Sequence, residues 1–226
     1  MDCAPLDARP VIVAIAGPNG AGETTSYHAH LRRAGLPFIN ADVLARELDL
    51  EPYAAARMAD VLRREFVVRG SSFVFETVFS DPVGDKRAFL QEAAASGHTV
   101  VLCYVGLSGP DTCEARVAMR VSQGGHDVPT EKLCTRHPRT IKNLRAAICD
   151  LPHVLIYTND DLRRPYRLVA VFEQGRLRSS KLRVWQSAHG WPKACSHRSL
   201  GQRPRTTVSS GHFWPKAILT LSDAGR

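Results

Sequence analysis

Residues 11–25 read VIVAIAGPNGAGETT. An unbroken apolar run of six residues is the pattern of a strand buried on both faces, as in parallel sheets covered by helices. A glycine-rich turn follows, and then TTSYHAHLRRAG reads as a helix closed by Gly35. A strand feeding such a loop into a helix N-terminus aims backbone N–H groups and the helix dipole at an anion. Gly17, Gly20 and Gly22 supply the backbone freedom, Pro18, Asn19 and Ala21 complete the loop, and Thr24 and Thr25 open the helix. The run fits the phosphate-binding pattern G-x-x-x-x-G-K-[ST] at every fixed position but one. Glu23 stands where the pattern has its lysine.

The rest of the body alternates in the same way. PFIN (37–40) reads as a second strand. Residues 41–68 read as mostly helical with a break near Pro52, stopped by Gly70. SSFVFETVF (71–79), HTVVLCYVGL (98–107), HVLIYTN (153–159) and a terminal RLVAVFEQGRL (167–177) supply four more strands. Helical segments at PVGDKRAFLQEAAASG, 111–123 and TEKLCTRHPRTIKNLRAAICDL fall between them. Strand–helix alternation with short links predicts an α/β parallel sheet with crossover helices.

The net charge of +8 suggests a nucleic-acid partner until it is located along the chain. From Arg178 onward there are nine Lys and Arg and one acidic residue, Asp223, leaving 21 of each sign in residues 1–177. The basic signal therefore belongs to the C-terminal segment, which also holds all three tryptophans, Trp185, Trp191 and Trp214. Basic residues interleaved with tryptophan can bind nucleic acid by phosphate contact and stacking. The alternative is a disordered extension without a partner. The expected division is an N-terminal extension (1–9), a body (10–177, with a lid at about 109–150) and a basic tail (178–226). Six scattered cysteines without a C-x-x-C pair, and no apolar run of membrane-spanning length, predict a cytoplasmic protein with no membrane partner.

GPNGAGETT, INADVLAR, FVFETVFS, EARVAMRVSQGGHDVP and RHPRTIKNLRAAI followed by LIYTND occur in an order that resembles the zeta-toxin family of P-loop kinases. The resemblance covers about residues 10–175. The phosphate loop is generic, whereas the ordered set, above all RV-x-x-RV-x-x-GGH-x-VP, is more specific. It implies a nucleotide-kinase-like fold with a five-stranded parallel core, a helical lid, ATP at the loop and Mg2+. It further implies transfer to a hydroxyl of a small molecule, UDP-N-acetylglucosamine in some members, and a small antitoxin as partner.

Carried onto this chain, the resemblance makes Asp42 the catalytic aspartate, and a carboxylate there could take the proton of a substrate hydroxyl. Asp42 could equally serve as a helix N-cap. Glu76 matches an acidic position near substrate and magnesium, beside Thr77, and Thr24 matches the magnesium-binding hydroxyl. Arg120 and Arg136 match lid arginines that stabilise transferred charge. Arg116 lies four residues from Arg120 on the same helix face and is a substrate-binding candidate. Their alternative is a solvated basic face. Glu23 removes an ammonium and adds a carboxylate, and two unit charges 4 Å apart interact by roughly 4 kcal/mol at an effective dielectric of 20. Three functions follow: an impaired kinase, an inactive remnant that binds nucleotide or antitoxin, or nucleic-acid binding through the tail.

Overall fold

The computed structural model describes residues 8–180, so Trp185, Trp191, Trp214 and nearly all of the basic tail lie outside the described residues. VIVAIA forms β1 (Val11–Ala16), buried at every position. The other strands are β2 (Phe38–Ile39), β3 (Phe73–Thr77), β4 (Thr99–Gly106), β5 (His153–Thr158), β6 (Arg167–Glu173) and β7 (Arg176–Ser180). The helices are α1 (Glu23–Ser26), α2 (Ala41–Glu47), α3 (Pro52–Val68), α4 (Asp85–Ala95), α5 (Pro110–Ser122) and α6 (Thr130–Asp150). The predicted break falls between α2 and α3, with Pro52 in the first turn of α3, where its missing N–H costs nothing.

One seven-stranded sheet runs β2-β3-β1-β4-β5-β6-β7. Its first five strands are parallel, as expected, and β6 and β7 are antiparallel. The pleat of β1 sends Ile12, Ala14 and Ala16 into one core and Val11, Val13 and Ile15 into the other. Cys103 lies in the second core as a free, buried thiol. The segment leaving β1 for β2 packs Tyr27 and Leu31 into the second core, whereas the helices leading into β3 and β4 pack Ala59, Phe89 and Leu90 into the first. The winding therefore reverses at β1, and a crevice opens beyond its C-terminal end, where such sheets take ligands.

Two sequence-based elements are corrected. The helix expected after the loop is α1 followed by a π-turn (Tyr27–Leu31) and a 3-10 turn (Arg32–Ala34). This irregular path buries Tyr27 and Leu31 and stacks Tyr27 on Phe38, ring centroids 3.7 Å apart. The single terminal strand at 167–177 is a hairpin: Gln174 (φ 49) and Gly175 (φ 72) form its two-residue turn, both left-handed. That pairing carries β7 to Ser180, three residues beyond Leu177.

Candidate functional site

The phosphate loop leaves β1 at Ala16 and enters α1 at Glu23. Space, as much as backbone angle, dictates its glycines. A Cβ on Gly17 would stand 2.4 Å from the Val105 carbonyl oxygen. One on Gly20 (φ 82) would stand 2.8 Å from Arg116 Cβ, and one on Gly22 (φ 89) 2.8 Å from Tyr166 Oη. Gly17→Ala should therefore destabilise the chain by about 1–3 kcal/mol, the usual range for overpacking, read as a lowered urea midpoint. An unchanged midpoint would mean that the loop does not sit against β4.

Two side chains that sequence reading missed hold this loop from behind. Asn159 Nδ2 donates to the Ala21 carbonyl at 2.8 Å, and Tyr166 Oη to the Gly22 carbonyl at 3.0 Å. Pinning both carbonyls outward leaves the opposite side of those peptide units for an anion. Nothing local in LIYTND or RRPYRL announces this, because the contacts span 138 and 144 residues.

The strand register puts Ile15 beside Glu76 and Ala16 beside Thr77. Glu76 thus reaches the loop mouth, where Thr24 Oγ1 donates to its Oε2 at 2.8 Å. Thr77 Oγ1 is engaged locally, accepting from Phe79 N–H at 3.4 Å. The capping alternative for Asp42 is corrected: Asn40 Oδ1 is the cap of α2, accepting from the N–H groups of Asp42 (2.8 Å) and Val43 (3.1 Å). Asp42, freed of that task, lines two adjoining cavities. One, of about 370 Å³, holds Gly20, Gly22, Glu23, Thr24 and Arg120. The other, of about 530 Å³, lies under α3, α4 and α6.

Glu23 folds back over the loop, its Oε1 3.0 Å from where a Gly17 Cβ would be. Burial, with Glu76 nearby, pushes its carboxyl up to about 8. Burial also raises Glu76 to about 7, Thr24 opposing and Asp42 adding. A carboxyl raised on folding contributes stability that is fully present below its ordinary value and is lost as pH climbs to the folded value. Glu23→Gln should therefore match the native chain near pH 4.5 and exceed it by on the order of 3 kcal/mol near pH 8, read in urea titrations at both pH values. Equal stability at pH 8 would show the carboxyl to be solvated.

The predicted arginines take different places. Arg120 lies in α5 facing Glu23 and Glu76; its Nη2 donates to the His126 carbonyl at 2.6 Å, and its Nε is buried without a partner. It is a cation with an unspent donor in the cavity of the loop. Arg116 is already bonded, its Nη2 donating to the carbonyls of Asn159 (2.6 Å) and Asp160 (3.0 Å). Arg136, on α6, reaches Asn19 Oδ1 at 3.5 Å and joins that helix to the loop. Asn143 is structural: its Nδ2 donates to the Phe79 and Asp81 carbonyls, both at 2.9 Å.

Among the described residues no group of three or more His, Cys, Asp or Glu side chains is arranged to hold a metal, and no helix is long and apolar enough to cross a membrane. The five parallel strands, the loop at the end of β1 and the helical segment over it define a P-loop kinase fold. The same fold is seen in a chain of the PezAT chromosomal toxin-antitoxin system of Streptococcus pneumoniae (TM-score 0.56, 15% identity, 80% of this chain and 79% of that one). It is seen again in a chain of the AvrRxo1-ORF1:-ORF2 structure with ATP (TM-score 0.61, 15% identity, 88% and 69%). At this identity the shared property is the fold. No protein-family model and no curated protein matches the chain.

Proposed function

We propose that the chain is a phosphotransferase of the zeta-toxin type, taking ATP at the glycine loop and moving a phosphoryl group to a hydroxyl of a small molecule, with Glu23 holding its activity down. The observation that carries this reading is the Thr24–Glu76 hydrogen bond at the loop mouth, beside an Asp42 shared by two cavities. One cavity offers glycine amides, Thr24 and Arg120 to phosphates, and the other receives an acceptor whose hydroxyl faces Asp42. Asp42 takes the hydroxyl proton, while Arg120 and Arg136 face the charge on the transferred group. Magnesium suits Thr24 and Glu76, since that ion commonly leans on one or two protein oxygens and the nucleotide's own phosphates. It would supply charge neutralisation there.

A sugar nucleotide such as UDP-N-acetylglucosamine is the acceptor to try first. A small antitoxin is the macromolecular partner to seek, since both structural neighbours come from two-component assemblies by their descriptions. The second reading, a remnant that binds nucleotide without transferring phosphate, rests on Glu23 itself. Calorimetric titration with ADP and magnesium, and mass spectrometry of acceptor mixtures incubated with ATP, separate the two. ADP binding without any phosphorylated product, in the native chain and in Glu23→Lys, would establish the remnant. Absence of ADP binding in both would end the nucleotide reading.

A further inference from the structure

The larger cavity runs from Asp42 and Glu76 at the strand ends to a charged wall built by α3, α4 and α6. On that wall Arg63, only 5% exposed, lies over the Phe75 ring at 4.9 Å and pairs with Asp60. Lys86 pairs with the same Asp60 oxygen, so two cations share one carboxylate. Arg139 enters the cavity from α6, and Asp81 from the segment before α4. The cavity lining as a whole carries four cations (Arg63, Lys86, Arg136 and Arg139) and four carboxylates (Asp42, Asp60, Glu76 and Asp81). All four cations stand at the helical end, against Asp60 and Asp81, away from the strand-end pair Asp42 and Glu76. Asp81 Oδ2 is buried without a hydrogen-bond partner, an acceptor waiting for a donor.

The surroundings of Lys86 suit an anion. Burial, with Arg63 beside it, holds the Lys86 ammonium down at about 8, although Asp81 and Asp85 pull the other way and Arg64 adds to the repulsion. Burial likewise lowers Arg63, to about 10. Cations desolvated without full compensation gain most from a charge-assisted bond to phosphate or carboxylate.

We propose that this wall is the anion subsite of the acceptor pocket: Lys86, Arg63 and Arg139 hold a phosphate or carboxylate of the acceptor, and Asp81 accepts one of its hydroxyls. The acceptor is then an anionic polyhydroxy compound, gripped at the end remote from Asp42. This rests on the phosphotransferase reading for the word acceptor, though the subsite can be tested without turnover.

The native full chain is treated with a small amine-acylating reagent at pH 7.5, and labelling of Lys86, Lys132 and Lys142 is read by peptide mass spectrometry. Inorganic phosphate, pyrophosphate and acetate are added in separate arms, which distinguish phosphate from carboxylate recognition. The subsite predicts that at least one anion slows labelling of Lys86 by about tenfold at ten times its Kd, leaving Lys132 and Lys142 unchanged. Half-buried Arg139 is the residue to remove, since Arg63 also packs on Phe75; Arg139→Met should weaken the protection several-fold. Uniform labelling in every arm, or protection shared equally by all three lysines, overturns the subsite. ADP binding followed in the same samples keeps the two ideas apart. Protected Lys86 with no ADP binding in either the native chain or Glu23→Lys sinks the kinase reading alone, and ADP binding with unprotected Lys86 sinks the subsite alone.

Discussion

Glu23→Lys should raise affinity for ADP and the rate of phosphoryl transfer together, by about 10³-fold in kcat/KM. The carboxyl occupies the inside of the phosphate loop, against Gly17, where an anion would bind. With its titration pushed up to about 8 by burial, Glu23 is largely protonated at neutral pH. The native chain therefore lacks an attraction more than it suffers a repulsion, a milder defect than the sequence alone suggests. An ammonium 4 Å from one phosphate charge contributes roughly 4 kcal/mol at an effective dielectric of 20, about three decades. The same ammonium should stabilise the ionised form of Glu76 and draw its titration down from about 7. Steady-state kinetics and ADP titrations on both chains check this. If neither affinity nor turnover changes, Glu23 is not what limits the site.

Legibility from sequence followed the range of the interactions. VIVAIA, the glycine loop and Pro52 are local signals, since hydrophobic period, turn chemistry and a missing N–H act over a few residues, and all three landed where expected. The QG turn was local too and passed unread, because RLVAVFEQGRL keeps a strand-like composition through it. Its two left-handed residues split one predicted strand into β6 and β7. Asn40 was overlooked as a cap because Asp42, two residues on, is also a good capping residue. The family motifs named Thr24 and Glu76, and the β1–β3 register shows why the two meet across 52 residues. Asn159 lay within the LIYTND motif with no role attached to it, and Tyr166, Arg63 and Lys86 had no such signal. Most of their partners lie on other elements, Phe75 beneath Arg63 and Asp60 beside Lys86, and a charged helix face reads the same whether it meets water or a cavity.

The charge balance of the body gains meaning from this placement. Residues 1–177 carry equal numbers of acidic and basic side chains, yet the cavity sorts them. Carboxylates Asp42 and Glu76 stand where the strands end, and the four cations Arg63, Lys86, Arg136 and Arg139 stand at the helical end, only partly offset there by Asp60 and Asp81. Sorting of this kind orients a dipolar or anionic ligand even when net charge is zero.

Asp42→Asn, made in the Glu23→Lys chain, should lower kcat by about 10²- to 10⁴-fold and leave ADP affinity unchanged. Two carboxylates compete for the role of base. Glu76, raised to about 7, has the titration that suits a proton acceptor at neutral pH. Its Oε2, however, accepts from Thr24 at the loop mouth, on the nucleotide side of the site. Asp42 sits on the wall common to both cavities, where an acceptor hydroxyl can meet a phosphoryl group, and Asn40 relieves it of capping. Geometry therefore favours Asp42 as base and Glu76 as the group that orders Thr24 and the phosphates. The two variants separate the roles: Asp42→Asn should act on kcat alone, whereas Glu76→Gln should weaken binding of ADP with magnesium as well. Removing the Glu76 charge should also lower the titration of Glu23 in the native chain, since Glu76 contributes to raising it. Were Asp42→Asn to keep full turnover while Glu76→Gln abolished it without touching ADP affinity, the proton would have to leave through Glu76.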